Sequence, residues 1–466
     1  MDLTSINYLG FITLTFLFYR FLPLNAKPYL LIFSSFIFIG TYSIESLVFF
    51  LFQHVLIHFT VKKISTTESA SIRKRMFKLG IVFIIAFIFS LKYIEIKFNN
   101  TSSFNTNKLI FFLGISFYSL QNISYLIDVY YGRVKRLSFL DFTLFSSFFS
   151  KFIAGPITII QTFKITYIEK NNTYLIQQGI NRIAWGLFKK IVIAERIAPV
   201  IAFNFELKNP TLGLTNLVLA YLFTIQLYFD FSGYSDIAIG TAKLFGIDLS
   251  ENFKLSLRAK SISEFWRRWH ISLSNWLTNY IFYPISYKYR KKKYWGTIIA
   301  IVITFLVSGL WHGVYLTFII YALLHSVYLI VGLFIQKPTN RFKNRIFSIF
   351  SIFFTFNLVS ISFIFFRSIS IEQAFSKVKC IFSQHFFSNN LLFDFTQYIA
   401  MGGEQENVFN LYVSLFLISL VLLFEDRLQR IFNAKKMNVI HLTLILLTII
   451  FFGVFDKSKN FIYTQF

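Results

Sequence analysis

The chain has 466 residues, 55% of them hydrophobic and 14% charged, and its 46 Lys and Arg against 21 Asp and Glu give a formal charge of +25. A soluble domain carries about 25% charged residues, and no long polar block is present in which a separate soluble domain would fold, so residues 1–466 read as one membrane domain. The basic residues gather in short gaps between apolar runs, as in cytoplasmic loops, which argues against nucleic acid as a partner; one cysteine, Cys380, excludes an intramolecular disulfide and a multi-cysteine metal site.

Residues 1–7 contain Asp2 and no Lys or Arg. They lack the positive start of a signal peptide, so the first apolar run is expected to stay as a helix with its N-terminus outside. Apolar stretches near the length of a membrane span fall at 8–22, 28–41, 43–60, 79–91, 108–127, 178–203, 213–230, 294–311, 314–335, 346–366, 409–424 and 438–455. Basic gaps follow in alternation. They hold Lys62, Lys63 and Arg73 to Lys78, then Arg133 to Arg136, Lys288 to Lys293, Lys337 to Arg345 and Arg427 to Lys436, whereas 92–107, 204–212 and 389–408 are Asn-rich, short or acidic. The alternation predicts the basic gaps on the cytoplasmic side and both termini outside.

Two regions break the pattern. Residues 139–158 are apolar but end in Ala154-Gly155-Pro156, where glycine and proline stop a helix. Residues 231–287 mix apolar, charged and aromatic types, which lipid tolerates only where they line a cavity or are buried in protein.

Chemistry is concentrated in this second region and just beyond it. Asp230 and Asp236 flank Gly233 in Tyr228-Phe229-Asp230-Phe231-Ser232-Gly233-Tyr234-Ser235-Asp236. An acid at membrane depth has a partner or a function, and both readings stand, pairing with a cation or handling substrate. Gly233 would let the backbone turn or approach a neighbour. Ser261-Ile262-Ser263-Glu264 is a capping-box pattern that predicts a helix carrying Phe265-Trp266-Arg267-Arg268-Trp269-His270, with Glu264 placed to pair with Arg268, Arg267, His270 and Ser274 on one face, and Trp266, Trp269, Leu273 and Leu277 on an aromatic side. Two readings again stand. One is an interfacial helix with Trp at the headgroups; the other is a cationic, imidazole-bearing edge able to hold an anionic carrier. Ser308-Gly309-Leu310-Trp311-His312-Gly313 sets a histidine deep in an apolar run. That histidine is either satisfied structurally or used as a proton acceptor near neutral pH.

The other histidines carry less. His54 and His58, at i and i+4, would place two imidazoles on one metal, but no third ligand is near. His325 reads as packing, and His385 and His441 have no context. No internal repeat of the transporter kind is found.

At these residues the chain resembles the membrane-bound O-acyltransferase family, and most its bacterial branch typified by the alginate O-acetylation membrane subunit. The resemblance runs from Gln226-Leu227-Tyr228-Phe229-Asp230-Phe231-Ser232-Gly233-Tyr234-Ser235-Asp236 through Leu249-Ser250-Glu251-Asn252-Phe253 to Glu264-Phe265-Trp266-Arg267-Arg268-Trp269-His270-Ile271-Ser272-Leu273-Ser274. It is supported by Ala154-Gly155-Pro156-Ile157, Gly186-Leu187-Phe188-Lys189-Lys190, Val307-Ser308-Gly309-Leu310-Trp311-His312-Gly313 and the closing Phe461-Ile462-Tyr463. It covers residues 110–335 well and the ends loosely. One departure stands out. After Phe282-Tyr283-Pro284 this chain has Ile285-Ser286-Tyr287-Lys288-Tyr289-Arg290, where alginate-type members continue in a Leu-Gly-Gly-Asn-Arg-like turn.

The resemblance implies an all-α polytopic membrane protein with roughly 11–12 transmembrane helices around a central funnel, with re-entrant or interfacial helices. Residues 1–107 would form N-terminal helices, 108–335 the catalytic core and 336–466 the C-terminal helices. It implies that His312 and His270 are catalytic; beside them, Asp230, Asp236, Arg267, Arg268 and Trp311 are the candidate substrate-binding residues. No metal and no tightly bound cofactor are implied. The donor would be acetyl-coenzyme A or an acyl-carrier thioester presented from the cytoplasm. The acyl group would cross the bacterial cytoplasmic (inner) membrane to a periplasmic or extracellular SGNH-like acetyltransferase or another acyl-accepting protein, for O-acetylation of a cell-surface or secreted polysaccharide. Peptidoglycan O-acetylation and D-alanylation are the alternatives within the family. A non-catalytic glycan or lipid exporter, or a scaffold for a soluble enzyme, are those outside it.

Overall fold

A computed structural model describes residues 2–101, 114–166, 173–206, 213–313, 315–335, 345–383, 405–432 and 439–455. The helices, in chain order, are α1 (Ile6–Phe21), α2 (Lys27–Tyr42), α3 (Ile44–Thr66), α4 (Ala70–Thr101), α5 (Ile115–Tyr130), α6 (Phe139–Ser147), α7 (Phe149–Phe152), α8 (Thr173–Leu187), α9 (Glu195–Glu206), α10 (Gly213–Leu244), α11 (Ile262–Arg268), α12 (Ile271–Leu277), α13 (Tyr283–Lys288), α14 (Tyr294–His312), α15 (Leu316–Ile335), α16 (Arg345–Arg367) and α17 (Ile371–Ile381), followed by helices Gln405–Phe432 and Val439–Phe452. Strand is confined, among the described residues, to a two-residue antiparallel pairing of 164–165 with 247–248. The acidic gap 389–408, the basic gap from Lys337 to Asn344, His385 and Phe461-Ile462-Tyr463 lie wholly or mostly outside the described residues.

Six of these helices are long and apolar enough to cross a membrane: Ile44–Thr66, Ala70–Ile94, Gly213–Leu244, Tyr294–His312, Leu316–Ile335 and Arg345–Arg367. Ile6–Phe21 and Val439–Phe452 are apolar but shorter. Large apolar side chains stand exposed along the spans, among them Phe52, Val82 and Phe354. Water would penalise that exposure and hydrocarbon does not, so the protein is a multi-pass membrane protein.

Two expected elements differ in form. The run 178–203 is not one regular α-helix. It stays helical but irregular, passing from α8 through a π-helical segment, Phe188–Ala194, directly into α9, which contains Pro199. A π turn adds a residue to the helical repeat, and proline removes an internal hydrogen bond. Conversely, the helix expected to end near 230 continues to Leu244. Gly233 thus serves close approach and not a turn, since a Cβ there would meet the Gly186 carbonyl oxygen at 2.8 Å and the Lys190 nitrogen at 3.0 Å. The stretch 139–158 stops being helical before Ala154-Gly155-Pro156, as expected, and is also broken at Phe148, into α6 and the four-residue α7.

The fold groups into two compact units. One comprises Met1–Ile183 with Tyr234–Glu251, and the other Ala184–Gly233 with Asn252–Phe466. The first unit is centred on aromatic packing. Phe149 lies edge-on to Phe11 at 5.2 Å and to Phe245 at 5.7 Å, and the Tyr19 hydroxyl donates to the Phe245 carbonyl at 2.8 Å. Gln53, Ser119 and Asn122 form a buried amide and hydroxyl cluster there. The second unit is built on α14, α15 and α16. At Gly309 the first two cross so closely that a Cβ would lie 2.7 Å from the Phe318 carbonyl oxygen and 2.9 Å from the Ala322 methyl.

Candidate active site

The second unit brings the two motif histidines to one tryptophan. His312 is the last residue of α14, 5% exposed. Its ring lies 4.8 Å from the Trp311 ring, 5.0 Å edge-on to Phe366, and about 6 Å from Phe318 and Tyr321. His270 is 1% exposed, and its ring lies 6.0 Å from the Trp311 indole and 4.7 Å edge-on to Phe231. Motifs 42 positions apart in the chain thus share one aromatic neighbour.

The helix expected to carry Arg267, His270 and Ser274 on one face instead ends at Arg268, with Trp269 extended; His270 sits between α11 and α12 with φ 42° and ψ 54°, in the left-handed region, which interrupts the helical repeat between Arg267 and Ser274. That conformation is uncommon for a residue with a Cβ and needs support from its surroundings. Asn252 supplies it. Its Oδ1 accepts from the Ser272 backbone N–H at 3.2 Å and from the Ser272 hydroxyl at 2.9 Å, and lies 3.1 Å from His270 Nδ1. A backbone N–H only donates, so the atom it faces is the amide oxygen, and Nδ1 must carry the proton. The neutral ring then presents a lone pair at Nε2. Burial pushes the His270 pKa down to about 3, which keeps the ring neutral. In that state Nε2 accepts hydrogen bonds; it does not donate to an oxyanion.

The carboxylates and arginines divide by partner. Asp230, in the second unit, is paired with buried Lys190, whose Nζ lies 2.6 Å from Asp230 Oδ1 and 3.0 Å from Glu195 Oε1. Asp236, in the first unit, is held by Arg182, with Nε at 2.9 Å and Nη2 at 2.7 Å, and the same guanidinium binds Glu251. Both acids are therefore part of buried ion pairs. The sequence signal for their partners was available: Arg182, Lys189 and Lys190 are charges set within an apolar run, and buried charges require counter-charges. Arg268 is paired with Glu264 at 2.6 Å, and Glu264 also accepts from the Lys260 backbone N–H at 2.8 Å while Ser261 caps the helix. Arg267 is exposed, and its Nη1 donates to the Ser263 hydroxyl at 3.1 Å.

Arg267 also lines an open-sided cavity of about 750 Å³ bordered by residues of α11 to α16. Lys260, Ser263, Ser274, Asn275 and Thr278 line it together with apolar side chains such as Ile301, Phe305, Leu329 and Leu358. Thr297, Thr304 and Ser308 mark one face of α14 along it, at helical spacing. The Ser308 Oγ is buried and has no hydrogen-bond partner among the described residues. The cavity wall ends at Ser308, one turn before His312.

His54 is structural in form. Both ring nitrogens of His54 meet hydroxyls, Thr143 Oγ1 at 3.0 Å and Ser146 Oγ at 2.9 Å. His54 and His58 stack near Phe142. The divergent stretch after Pro284 continues α13 to Lys288, then turns through Arg290–Lys292.

Residues 106–370 match the membrane-bound O-acyltransferase family. The chain is similar to a peptidoglycan O-acetyltransferase of Helicobacter pylori, 30% identical over 415 residues, covering 81% of this chain and 78% of that protein. It is 43% identical over 204 residues to a probable alginate O-acetylase of Pseudomonas putida, covering 43% of this chain and 41% of that protein. It is 28% identical over 271 residues to a teichoic acid D-alanyltransferase of Bacillus subtilis, covering 55% and 69%. The alignment thus spans about four-tenths of the alginate relative's length. With the histidine motifs, the apolar spans and these matches in agreement, the chain belongs to the membrane-bound O-acyltransferase family and is a multi-pass membrane acyltransferase.

Proposed function

We propose that the protein transfers an acetyl group from a cytoplasmic thioester donor, acetyl-coenzyme A or an acylated carrier, across the bacterial cytoplasmic membrane for O-acetylation of an envelope polysaccharide. The observation that carries this reading is the shared placement of His312 and His270 around Trp311, one helical turn from a cavity with an arginine and hydroxyls on its walls.

In this reading neutral His312 takes the proton from an acceptor hydroxyl as that oxygen attacks the thioester carbonyl. The new C–O bond forms, the C–S bond breaks, and the departing thiolate takes up the proton. A positioned base contributes about 10² to 10⁴ in rate. The donor arm would lie in the cavity, its phosphate at Arg267 and a polar atom near its reacting end at the Ser308 hydroxyl. His270, a hydrogen-bond acceptor at Nε2, would orient an N–H or O–H of a substrate. Trp311, Tyr321 and Phe366 enclose His312, so entry of the reacting groups requires those rings to shift. Excluding water there protects the thioester from hydrolysis. The acyl group then passes to a periplasmic or extracellular SGNH-like acetyltransferase or another acyl-accepting protein.

Peptidoglycan is the second reading for the acceptor, favoured by the 78% coverage of the Helicobacter pylori relative. The test measures base-released acetate and D-alanine from purified envelope polymers with wild-type protein, with His312→Ala, and without the protein. Acetate lost from one polymer in both deficient strains, at unchanged protein level, is expected. Unchanged esters in His312→Ala refute the assignment, and loss of D-alanine in place of acetate moves it to D-alanylation.

A further inference from the structure

His325 is fully buried on α15 and takes no part in the reaction described above. Its hydrogen bonds have one consistent assignment. The indole Nε1 of Trp266, which only donates, points at His325 Nδ1 over 3.2 Å. Nδ1 is therefore the acceptor, and the proton of the neutral ring is on Nε2. That nitrogen faces the Ser362 hydroxyl at 2.9 Å. The hydroxyl in turn donates to the Val359 carbonyl at 2.7 Å. The chain runs in one direction from α11 through α15 to α16, and each donor in it meets an acceptor. A protonated ring would present N–H to N–H at Trp266, so the relay holds only for the neutral imidazole. Aromatic neighbours fix the plane of the ring, with Tyr321 at 4.8 Å, Trp266 at 5.1 Å and Phe305 at 6.1 Å.

The helix that this relay grips is short. α11 has seven residues, too few to hold its own orientation. Each residue along it turns the side-chain direction by about 100°, so its rotation decides whether Arg267 stands on the cavity wall. Two residues after Arg267 comes Trp269, and then His270 in its left-handed conformation. Trp266 is the residue of α11 that is both on that wall and bonded across to α15.

We infer that His325 is a positioning residue for acyl transfer, its neutral imidazole clamping Trp266 so that α11 presents Arg267 to the donor. The inference rests on the reading of the cavity as the donor site.

The side chains of Asn and Gln separate the two bonds of the ring. His325→Asn places an amide oxygen where Nδ1 was and keeps the Trp266 bond; His325→Gln reaches the Ser362 side and leaves the indole without its acceptor. The protein has six Trp residues. In protein labelled at the indole nitrogen, Trp266→Phe identifies the Trp266 resonance by its disappearance. The resonance is expected near its wild-type position in His325→Asn and shifted upfield in His325→Gln. With acetyl-coenzyme A as the probe, Trp266→Phe and His325→Gln should each raise KM by about 2- to 10-fold with kcat within about 2-fold, the range for one lost neutral hydrogen bond. The double variant should be no worse than either single one.

An indole resonance unmoved in His325→Gln overturns the clamp, as do effects that multiply in the double variant. Lower protein yield with unchanged KM in every variant reduces His325 to a packing residue and also overturns it. Should wild-type protein fail to turn over acetyl-coenzyme A, the donor assignment falls, while the resonance measurement still decides whether His325 holds Trp266.

Discussion

Asn252 holds His270 from 18 positions away in the chain, its amide oxygen 3.1 Å from Nδ1 while it also accepts twice from Ser272. One side chain therefore sets the tautomer of His270 and supports its left-handed backbone. Asn252→Ala removes three hydrogen bonds to a buried oxygen and should destabilise the protein by about 1–3 kcal/mol. His270→Asn should fold, because Asn tolerates the left-handed region, yet lose most acyl transfer. A His270→Asn protein of wild-type activity would remove His270 from the site.

The burial of His270 also predicts a pH effect. Its folded-state pKa, about 3, lies below that of the free side chain, about 6.5, so the folded protein binds fewer protons. The contribution of the neutral ring to stability is complete above about pH 6.5 and is lost as pH falls, by at most about 1.4 kcal/mol per pH unit. Thermal midpoints measured between pH 7.5 and 5 should fall less steeply in His270→Asn than in wild type. Parallel slopes would contradict this.

The Lys190 ammonium is shared by Asp230 and Glu195. Lys190→Met leaves two carboxylates facing an apolar environment, and removing one partner of a buried pair costs about 3–5 kcal/mol. Adding Asp230→Asn should recover a large part of the lost protein level. If the single and double variants accumulate equally, the pair is not a structural unit.

Arg267 and Arg268 should behave differently although they are neighbours. Arg267→Gln is expected to raise the apparent KM for the thioester donor with little effect on protein level, because its contact within the protein is the Ser263 hydroxyl. Arg268→Gln breaks a partly exposed pair with Glu264 and should cost about 1 kcal/mol or less, with donor KM near wild type. Reversed effects on donor KM would place the donor on the opposite side of α11.

Gly309 gives a steric prediction. Gly309→Ala puts a methyl against the Phe318 carbonyl oxygen and the Ala322 methyl at the α14–α15 crossing. Overpacking of this kind costs about 1–3 kcal/mol, and here it would move the last turn of α14, which carries His312. Activity should fall more than protein level does. Full activity would show that the crossing can widen without moving His312.

Much of this was legible in the sequence. The spacing of apolar runs announced a membrane protein because hydrocarbon forbids unpaired backbone and so demands long apolar helices. Ser261 and Glu264 announced α11 because capping is local. The ordered motifs around His270 and His312 announced the family. The charges of Arg182, Lys189 and Lys190 within an apolar run showed that counter-charges were needed, but not which acid each would meet, because Asp230 and Asp236 are six apart on one helix and their partners, Lys190 and Arg182, lie 40 and 54 positions away. The sequence could state that such acids need cations but not whether those cations belong to the substrate.

His325 shows the same limit in sharper form. In the sequence it is an imidazole among Leu, Tyr and Val, and nothing local distinguishes a packed ring from a bonded one. Trp266 lies 59 positions before it and Ser362 lies 37 after. Composition and local pattern determined that the chain lives in a membrane, where its helices begin, and which histidines to watch. Tertiary structure alone decided the direction of each proton, the pairing of each buried charge and the sharing of Trp311 by His270 and His312. Those properties depend on distances between segments remote in the chain, which helical periodicity does not encode.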